Sequence, residues 1–398
     1  MKKFTSNNLK TIAMFVLLAS ASISLFFLPK IFSVHYTGNQ SALASYDKPA
    51  ATTQKEPVFV PSYVSTPHSV KGIYMTSWVA GTKSLRDSLV KIIDTTEINT
   101  VVIDIKDYSG KIVFKVTDPK LQAFGSEEVR VDDMRDFIES LHKKGVYVIG
   151  RVAVFQDAYF VKHRPDLAVR NKSGTAVWKD RKGISWIDAG SKEYWDYIIQ
   201  ISNEARKIGF DEINFDYIRF PSDGNMQDIS FPFSSTTPKH LVLKSFFSYL
   251  NDNLRATSTN NGLKISADLF GMVTTASDDM GIGQLLEDAL PYFDYVSPMV
   301  YPSHYPPTFM GYKDPEAHPY EVIKYAMQSA VDRREALASS TGETLAELRP
   351  WLQDFGLRMN YGPSEVKSQI KATNEVGLDS WLLWSASNRY TLGALNSE

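Results

Sequence analysis

The sequence predicts an α/β protein of the (β/α)8 barrel class, the fold of TIM barrels, preceded by an N-terminal membrane anchor and a flexible linker. Three observations carry this reading. Eight short β-type runs alternate with helical patterns between positions 70 and 390, the arithmetic of a closed barrel rather than of an open doubly wound sheet. The run 98–106 (INTVVIDIK) is nearly continuous in Val and Ile, as a strand buried on both faces should be. Carboxylates and aromatic residues recur where the runs end, the rim on which such barrels carry their chemistry.

The elements follow in order. The first strand is 70–78 (VKGIYMTSW), and Leu85, Leu89, Ile92 and Ile93 then fall at helical spacing. The second strand is followed by an ornamented turn around 108–116. A helix over 132–144 follows, with Met134, Phe137, Ile138 and Leu141 on its apolar face, Asp132 as N-cap and Gly145 as its stop. The third strand is 146–155 (VYVIGRVAVF). A polar loop of roughly thirty residues comes next, long enough to suggest a functional role. Ser191 then caps a helix over 192–208 that places Tyr194, Tyr197, Ile198, Ile201 and Ala205 on one side.

The fourth strand lies within GFDEINFDYIRFP (209–221), alternating at period two and stopped by the turn signal Pro221-Ser222-Asp223-Gly224. A helix over 237–255, a strand at 263–271 (LKISADLFG), a short helix at 285–290 and a strand at 295–301 (YVSPMVY) continue the alternation. The helix 320–338, the strand 348–355 (LRPWLQDF), the helix 364–376 and the strand 379–386 (DSWLLWSA) complete it. Little chain remains after Tyr390 for a closing helix.

Ahead of the barrel, Lys2, Lys3 and Lys10 flank an uncharged apolar run, 11–29, long enough to span a bilayer, where about 20 apolar residues are needed. The segment 1–33 therefore reads as an uncleaved single-pass anchor with the rest of the chain outside the cytoplasm. Cleavage at Ala42-Leu43-Ala44, giving a secreted protein, is the alternative. Residues 34–69, rich in Ser, Thr, Pro and Ala, read as a tether, leaving 70–398 as the barrel.

Composition removes several classes. Lys and Arg number 43 against 45 Asp and Glu, a net charge of −2, which supplies no overall basic field for a nucleic-acid backbone. A neutral or small substrate fits that balance better. The chain has no cysteine, which rules out disulfides, thiolate nucleophiles and Cys-based metal sites. The histidines show no HxH or HxxxH spacing for a catalytic zinc. Neither a phosphate-cradling glycine loop nor a G-x-S-x-G elbow is present. No cofactor or metal is expected.

The strand ends supply the candidates. Asp216 stands just before the fourth strand stops, Asp268 stands in the fifth, and Asp104 in the second. Two carboxyls can divide a glycosidic hydrolysis between them, one attacking the anomeric carbon and the other protonating the leaving oxygen. Adjacent strands, about 4.8 Å apart, allow Asp216 and Asp268 that arrangement. Tyr108, Trp186, Tyr301 and Trp384 offer flat faces for sugar rings, as do Tyr217, Tyr305 and Trp351. Arg151, Arg219, His304 and Asp354 offer polar contacts. Lys106 or Arg219 could hold one carboxyl ionised. Each candidate has a plainer alternative: an ion pair with Arg219 or Arg151 for Asp216, a loop-holding role for Asp268, a buried pair with Lys106 for Asp104.

The joint pattern GIYMTSW, VVIDIKD, the loop HRPDLAVRNKSGTAVWKDRKGISWIDAGSKEYWDY, GFDEINFDYIRFPSDG, ISADLFG and YVSPMVYP resembles the glycoside-hydrolase-like domain family of exported bacterial proteins over essentially 70–390. That resemblance implies a barrel acting on a carbohydrate polymer. A more distant similarity is to chitinase-type barrels. The strand-four positions Asp211, Asn214 and Asp216 echo their acidic motif, and Met299 and Tyr301 echo their Met-x-Tyr, but Ile218 stands where that group carries its catalytic Glu. A strand-four Asp nucleophile with its acid on strand five looks more like the α-glycosidase and polygalactosaminidase barrels, which supports Asp216 with Asp268. The other expectation is a barrel that binds glycans at the cell envelope without chemistry.

Overall fold

The computed structural model describes residues 59–256 and 262–397. Parallel strands run β1 (Lys71–Met75), β2 (Thr100–Lys106), β3 (Tyr147–Ala153), β4 (Glu212–Asp216), β5 (Lys264–Phe270), β6 (Tyr295–Met299), β7 (Glu347–Leu348), β8 (Trp351–Gln353) and β9 (Trp381–Trp384). Each pairs with the next around the ring, and β9 pairs with β1, so the sheet closes. β7 and β8 are two halves of one stave interrupted at Pro350, which has no N–H for the ladder. The ring therefore has eight staves, as expected.

Helices wrap the outside: α1 (Ser77–Gly81), α2 (Lys83–Thr95), α3 (Pro119–Phe124), α4 (Met134–His142), α5 (Ala158–His163), α6 (Lys192–Lys207), α7 (Lys239–Arg255), α8 (Leu286–Ala289), α9 (Pro319–Thr341) and α10 (Pro363–Glu375). Their apolar stripes face outward-pointing strand residues. On α7 the stripe is Val242, Leu243, Phe246, Phe247, Leu250 and Leu254, all buried. Each such side chain contributes about 1.5–3 kcal/mol. The start of α4 differs by one position from expectation: Asp133 is its N-cap, and its carboxylate goes to Arg86 at 2.7 Å rather than to the helix end. After β9 only a single turn, Leu392–Ala394, replaces the eighth helix.

The tether reading of 34–69 is too long at its C-terminal side. Residues 59–69 lie against the N-terminal ends of the strands. The Val64 N–H donates to Asp211 at 2.8 Å, Tyr63 Oη donates to the Arg206 carbonyl at 2.9 Å, and Ser69 Oγ donates to the Asp379 carbonyl. The Arg206 guanidinium covers the Tyr63 ring at 3.3 Å. Aromatic and aliphatic residues inside a Ser/Pro-rich stretch, Phe59, Tyr63 and Val64, are what bind it there. Residues 1–58, including the expected anchor, lie outside the described residues; among those described, no helix is long and apolar enough to cross a membrane.

The barrel interior is polar at two levels. Toward the N-terminal end, Glu212 and Arg349, both fully buried, form an ion pair supported by Tyr147 Oη at 3.1 Å and by Ser266 Oγ. Above it, toward the C-terminal rim, stands a second and larger cluster.

Candidate active site

Arg151 is the centre of that cluster. Period two in β3 turns Tyr147, Ile149 and Arg151 inward, and a long cation at this depth requires partners. Nη1 donates to Asp104 Oδ1 at 2.6 Å, Nη2 donates to Asp216 Oδ2, and Nε lies 3.9 Å from Asp268 Oδ2. All three sequence-predicted carboxyls are therefore brought onto one guanidinium. The β4–β5 register, with Phe215 opposite Ala267, sets Asp216 level with Asp268 on neighbouring strands.

Their surroundings differ. Asp216 is 7% exposed and accepts from Arg151 and from the Tyr217 N–H. Tyr217 has φ +54°, a left-handed conformation that costs a non-glycine residue on the order of 1–3 kcal/mol. It turns the chain sharply at the strand end and sends the Tyr217 ring edge-on to Trp186. Asp268 is 1% exposed; its Oδ1 accepts from Asn214 Nδ2 and Trp351 Nε1, each at 2.8 Å. Burial, reinforced by the charge of Asp216 and offset in part by Arg151, pushes its pKa up to about 8. Asp104 accepts from Arg151 and Tyr74 Oη, and burial raises its pKa as well. Arg151 loses solvation yet is held well above its ordinary value by Asp216 and Asp104.

The remaining candidates divide. Trp384 belongs to the cluster: it stacks on Tyr74 at 4.0 Å and meets Trp351 edge-on at 5.5 Å. Arg151 lies 5.1 Å from its ring centre. Tyr301 is buried beside His304 and Phe355, its hydroxyl without a partner among the described residues. His304 is more exposed, and partial burial and Arg358 hold its pKa down. Arg219 sits half-buried at the rim with no bond to Asp216. Tyr108 is 56% exposed on the loop after β2.

Three expectations are corrected. Trp186 offers no open face: it is 1% exposed, its indole N–H is tied to Asp180 at 3.0 Å, and Arg219 covers it. Asp354 is spent on Thr391, accepting from its N–H at 2.8 Å and its hydroxyl at 2.6 Å, and so pins the C-terminal segment. Lys106 tunes none of the three clustered carboxyls; it is fully buried on Asp157 at 2.8 Å and on the Ala153 carbonyl at 2.6 Å. A bulge between Asp104 and Lys106 turns it out of the barrel.

Sequence reasoning passed over Tyr74 and Asn214 as site residues and named Trp351 only as a stacking face. All three lie at inward positions of their strands, the signal by which they could have been found. Trp78, 63% exposed on α1 and backed by Arg130 at 4.4 Å, was also missed. Among the described residues no group of three or more His, Asp or Glu is arranged to hold a metal ion; a guanidinium fills the centre of the carboxyl cluster.

A closed parallel barrel with convergent carboxyls and aromatic faces at its C-terminal rim defines a carbohydrate-active barrel. The sequence matches, over residues 72–390, the family described as "Putative glycosyl hydrolase domain", and the chain belongs to that family. No curated protein matches it in sequence. Among solved structures, a hypothetical protein from Ruminiclostridium thermocellum is 30% identical, covering 53% of this chain and 98% of that one, with a TM-score of 0.44. The PgaB (BpsB) glycoside hydrolase domain of Bordetella bronchiseptica is 13% identical, covers 80% of this chain and 94% of its own, and has a TM-score of 0.59, a likeness of fold. The α-galactosidase of Thermus thermophilus, 13% identical over 82% of this chain and 60% of that one, has a TM-score of 0.49.

Proposed function

We propose that the protein is a glycoside hydrolase that cleaves a cell-surface or environmental polysaccharide, with Asp216 as nucleophile and Asp268 as general acid and base. The observation that carries this reading is the contrast between two carboxyls at one height on adjacent strands. One accepts from the Arg151 guanidinium and from the Tyr217 N–H, and burial pushes the pKa of the other up to about 8. In the first step an Asp216 oxygen bonds to the anomeric carbon while the bond to the leaving oxygen breaks and takes the Asp268 proton. In the second step, water attacks the same carbon, Asp268 recovers a proton from it, and the bond to Asp216 is released. Asp104 and Tyr74 position Arg151, and Trp384 offers the stacking face beside it.

Incubating the full chain with a polysaccharide panel is expected to release reducing ends from at least one member. Because the acid must carry its proton, turnover should fall as pH rises past about 8. An alkaline limb that is absent, with activity still rising at pH 9, would remove Asp268 from the acid role.

One observation favours a second reading, a barrel that binds glycan without turnover: every carboxyl of the cluster is engaged by Arg151 and almost wholly buried. Retention of the protein by a polysaccharide that yields no reducing ends would select it.

We further place the protein outside the cytoplasm, held by its N-terminal segment. Cell fractionation should recover it with membranes, and protease added to intact cells should degrade it. Recovery in the cytosol sinks that placement.

A further inference from the structure

Charge at the catalytic rim is not spread as the whole-chain balance suggests. The loop between β3 and α6 folds into two successive antiparallel hairpins, Arg170 bridging to Val177 and Lys179 to Ser185. It carries Lys172, Lys179, Arg181 and Lys182, all exposed and none paired with a carboxylate among the described residues. The acids nearby leave much of that charge free. Asp180 turns inward to Trp186, to Gln156 and to the N–H groups of Lys182 and Ile184. Asp228 accepts from the Lys172 N–H at 3.0 Å, and Asp223 is an exposed acid on the neighbouring loop.

Arg219 is held among three rings, Trp186 at 4.9 Å, Phe270 at 5.3 Å and Tyr217 at 5.6 Å. Nη1 donates to the Phe220 carbonyl and to Ser222 Oγ, each at 3.1 Å. Nε and Nη2 donate to nothing among the described residues. Tyr217 follows Asp216, and Phe270 lies two residues after Asp268, so this guanidinium stands where the tips of β4 and β5 meet. A planar cation with its orientation fixed by aromatic packing and N–H groups unspent matches a carboxylate or phosphate.

We infer that the glycan taken by this site is polyanionic, its carboxylate or phosphate-ester groups received by Arg219, with Lys179, Arg181 and Lys182 on the turn around Asp180, which bonds to the Trp186 that Arg219 covers. The inference rests on the reading of the barrel as carbohydrate-active. A net charge of −2 does not oppose it, because screening confines the relevant field to within about 8–10 Å of the groove.

The test is affinity electrophoresis of the full chain in gels containing polygalacturonate, phosphomannan, neutral xylan or poly-L-glutamate, at low salt and at roughly 0.3 M salt. At least one acidic glycan is expected to bind about tenfold tighter than xylan, with the advantage shrinking in salt. Arg219→Met should lose about tenfold more affinity for that glycan than for xylan. The double variant Arg181→Ser/Lys182→Ser, at exposed positions, should flatten the salt dependence with the fold untouched. Binding to polygalacturonate alone or to phosphomannan alone identifies the anion. Xylan bound as tightly as both acidic glycans, poly-L-glutamate bound as tightly as either, or acidic binding unchanged in both variants overturns the inference. Hydrolysis of a neutral glycan without acidic preference would defeat it while sparing the hydrolase reading. Tight acidic binding with no reducing ends released would do the reverse.

Discussion

Asp216→Asn and Asp268→Asn are each expected to reduce polysaccharide turnover by at least about 10³-fold while the barrel stays folded. In the proposed mechanism the first removes the nucleophile. The second keeps the shape of the acid: an Asn carbonyl can still accept from Asn214 and Trp351, and its amide stands where the acid's O–H would be. It cannot give up a proton at the required pKa. The two variants should part in stability. Between the ordinary carboxylate range and about pH 8 the folded wild type holds a proton on Asp268 that the unfolded chain has released. Wild-type stability therefore declines as pH rises through that window. Asn abolishes the decline, so the denaturation midpoint of Asp268→Asn should gain on wild type as pH climbs from about 4 to about 8. Initial rates of reducing-end release, read beside urea melts at each pH, check both halves. Turnover within about tenfold of wild type in either variant would overturn the assignment.

Arg151→Met carries the largest expected cost to stability, about 3–5 kcal/mol. The side chain is buried, and Asp104 and Asp216 depend on its one positive charge, with Asp268 3.9 Å from Nε. Methionine fills comparable volume and supplies none of it, so the carboxyls must either remain charged and unpaired or take up protons. The loss should be greatest near pH 8 and smaller near pH 5, where protonation relieves it. Arg151→Lys should fall between the two, because a single ammonium cannot reach Asp104 and Asp216 in the fixed fork geometry of a guanidinium. Chemical denaturation at the two pH values measures the difference. A midpoint for Arg151→Met equal to wild type would show that the cluster does not rely on the cation.

Most of the barrel was legible because its strands are written in a simple code. EINFD keeps period two, which turns Glu212, Asn214 and Asp216 to one face, while VVIDIK reads as a strand buried on both faces, and the ends of these strands bring Asp104, Asp216 and Asp268 to one rim. The code fails where the backbone departs from it. By strict alternation Lys106 shares a face with Asp104, but the bulge between them turns it to the outside. Exposure of loop side chains was not legible at all. Trp186 and Asp354 stand at positions that look like a rim, yet the segments carrying them pack back on the fold and consume both. The strap 59–69 was hidden by its composition, since three well-placed apolar residues bind a stretch whose average reads as linker. The basic segment is visible in NKSGTAVWKDRKG, whereas the packing of Arg219 on Trp186 comes only from the fold.

The pairing of β9 with β1 reaches beyond architecture. Lys71 lies in register with Trp381, and the Val70 N–H donates to Ser380 Oγ across 310 positions. During synthesis the ring cannot shut until the chain through β9 has left the ribosome. Until then the first stave keeps an unpaired edge open to neighbours. Contacts this distant in sequence make for slow assembly, so the newborn chain has a long interval in which it must be shielded from its own copies.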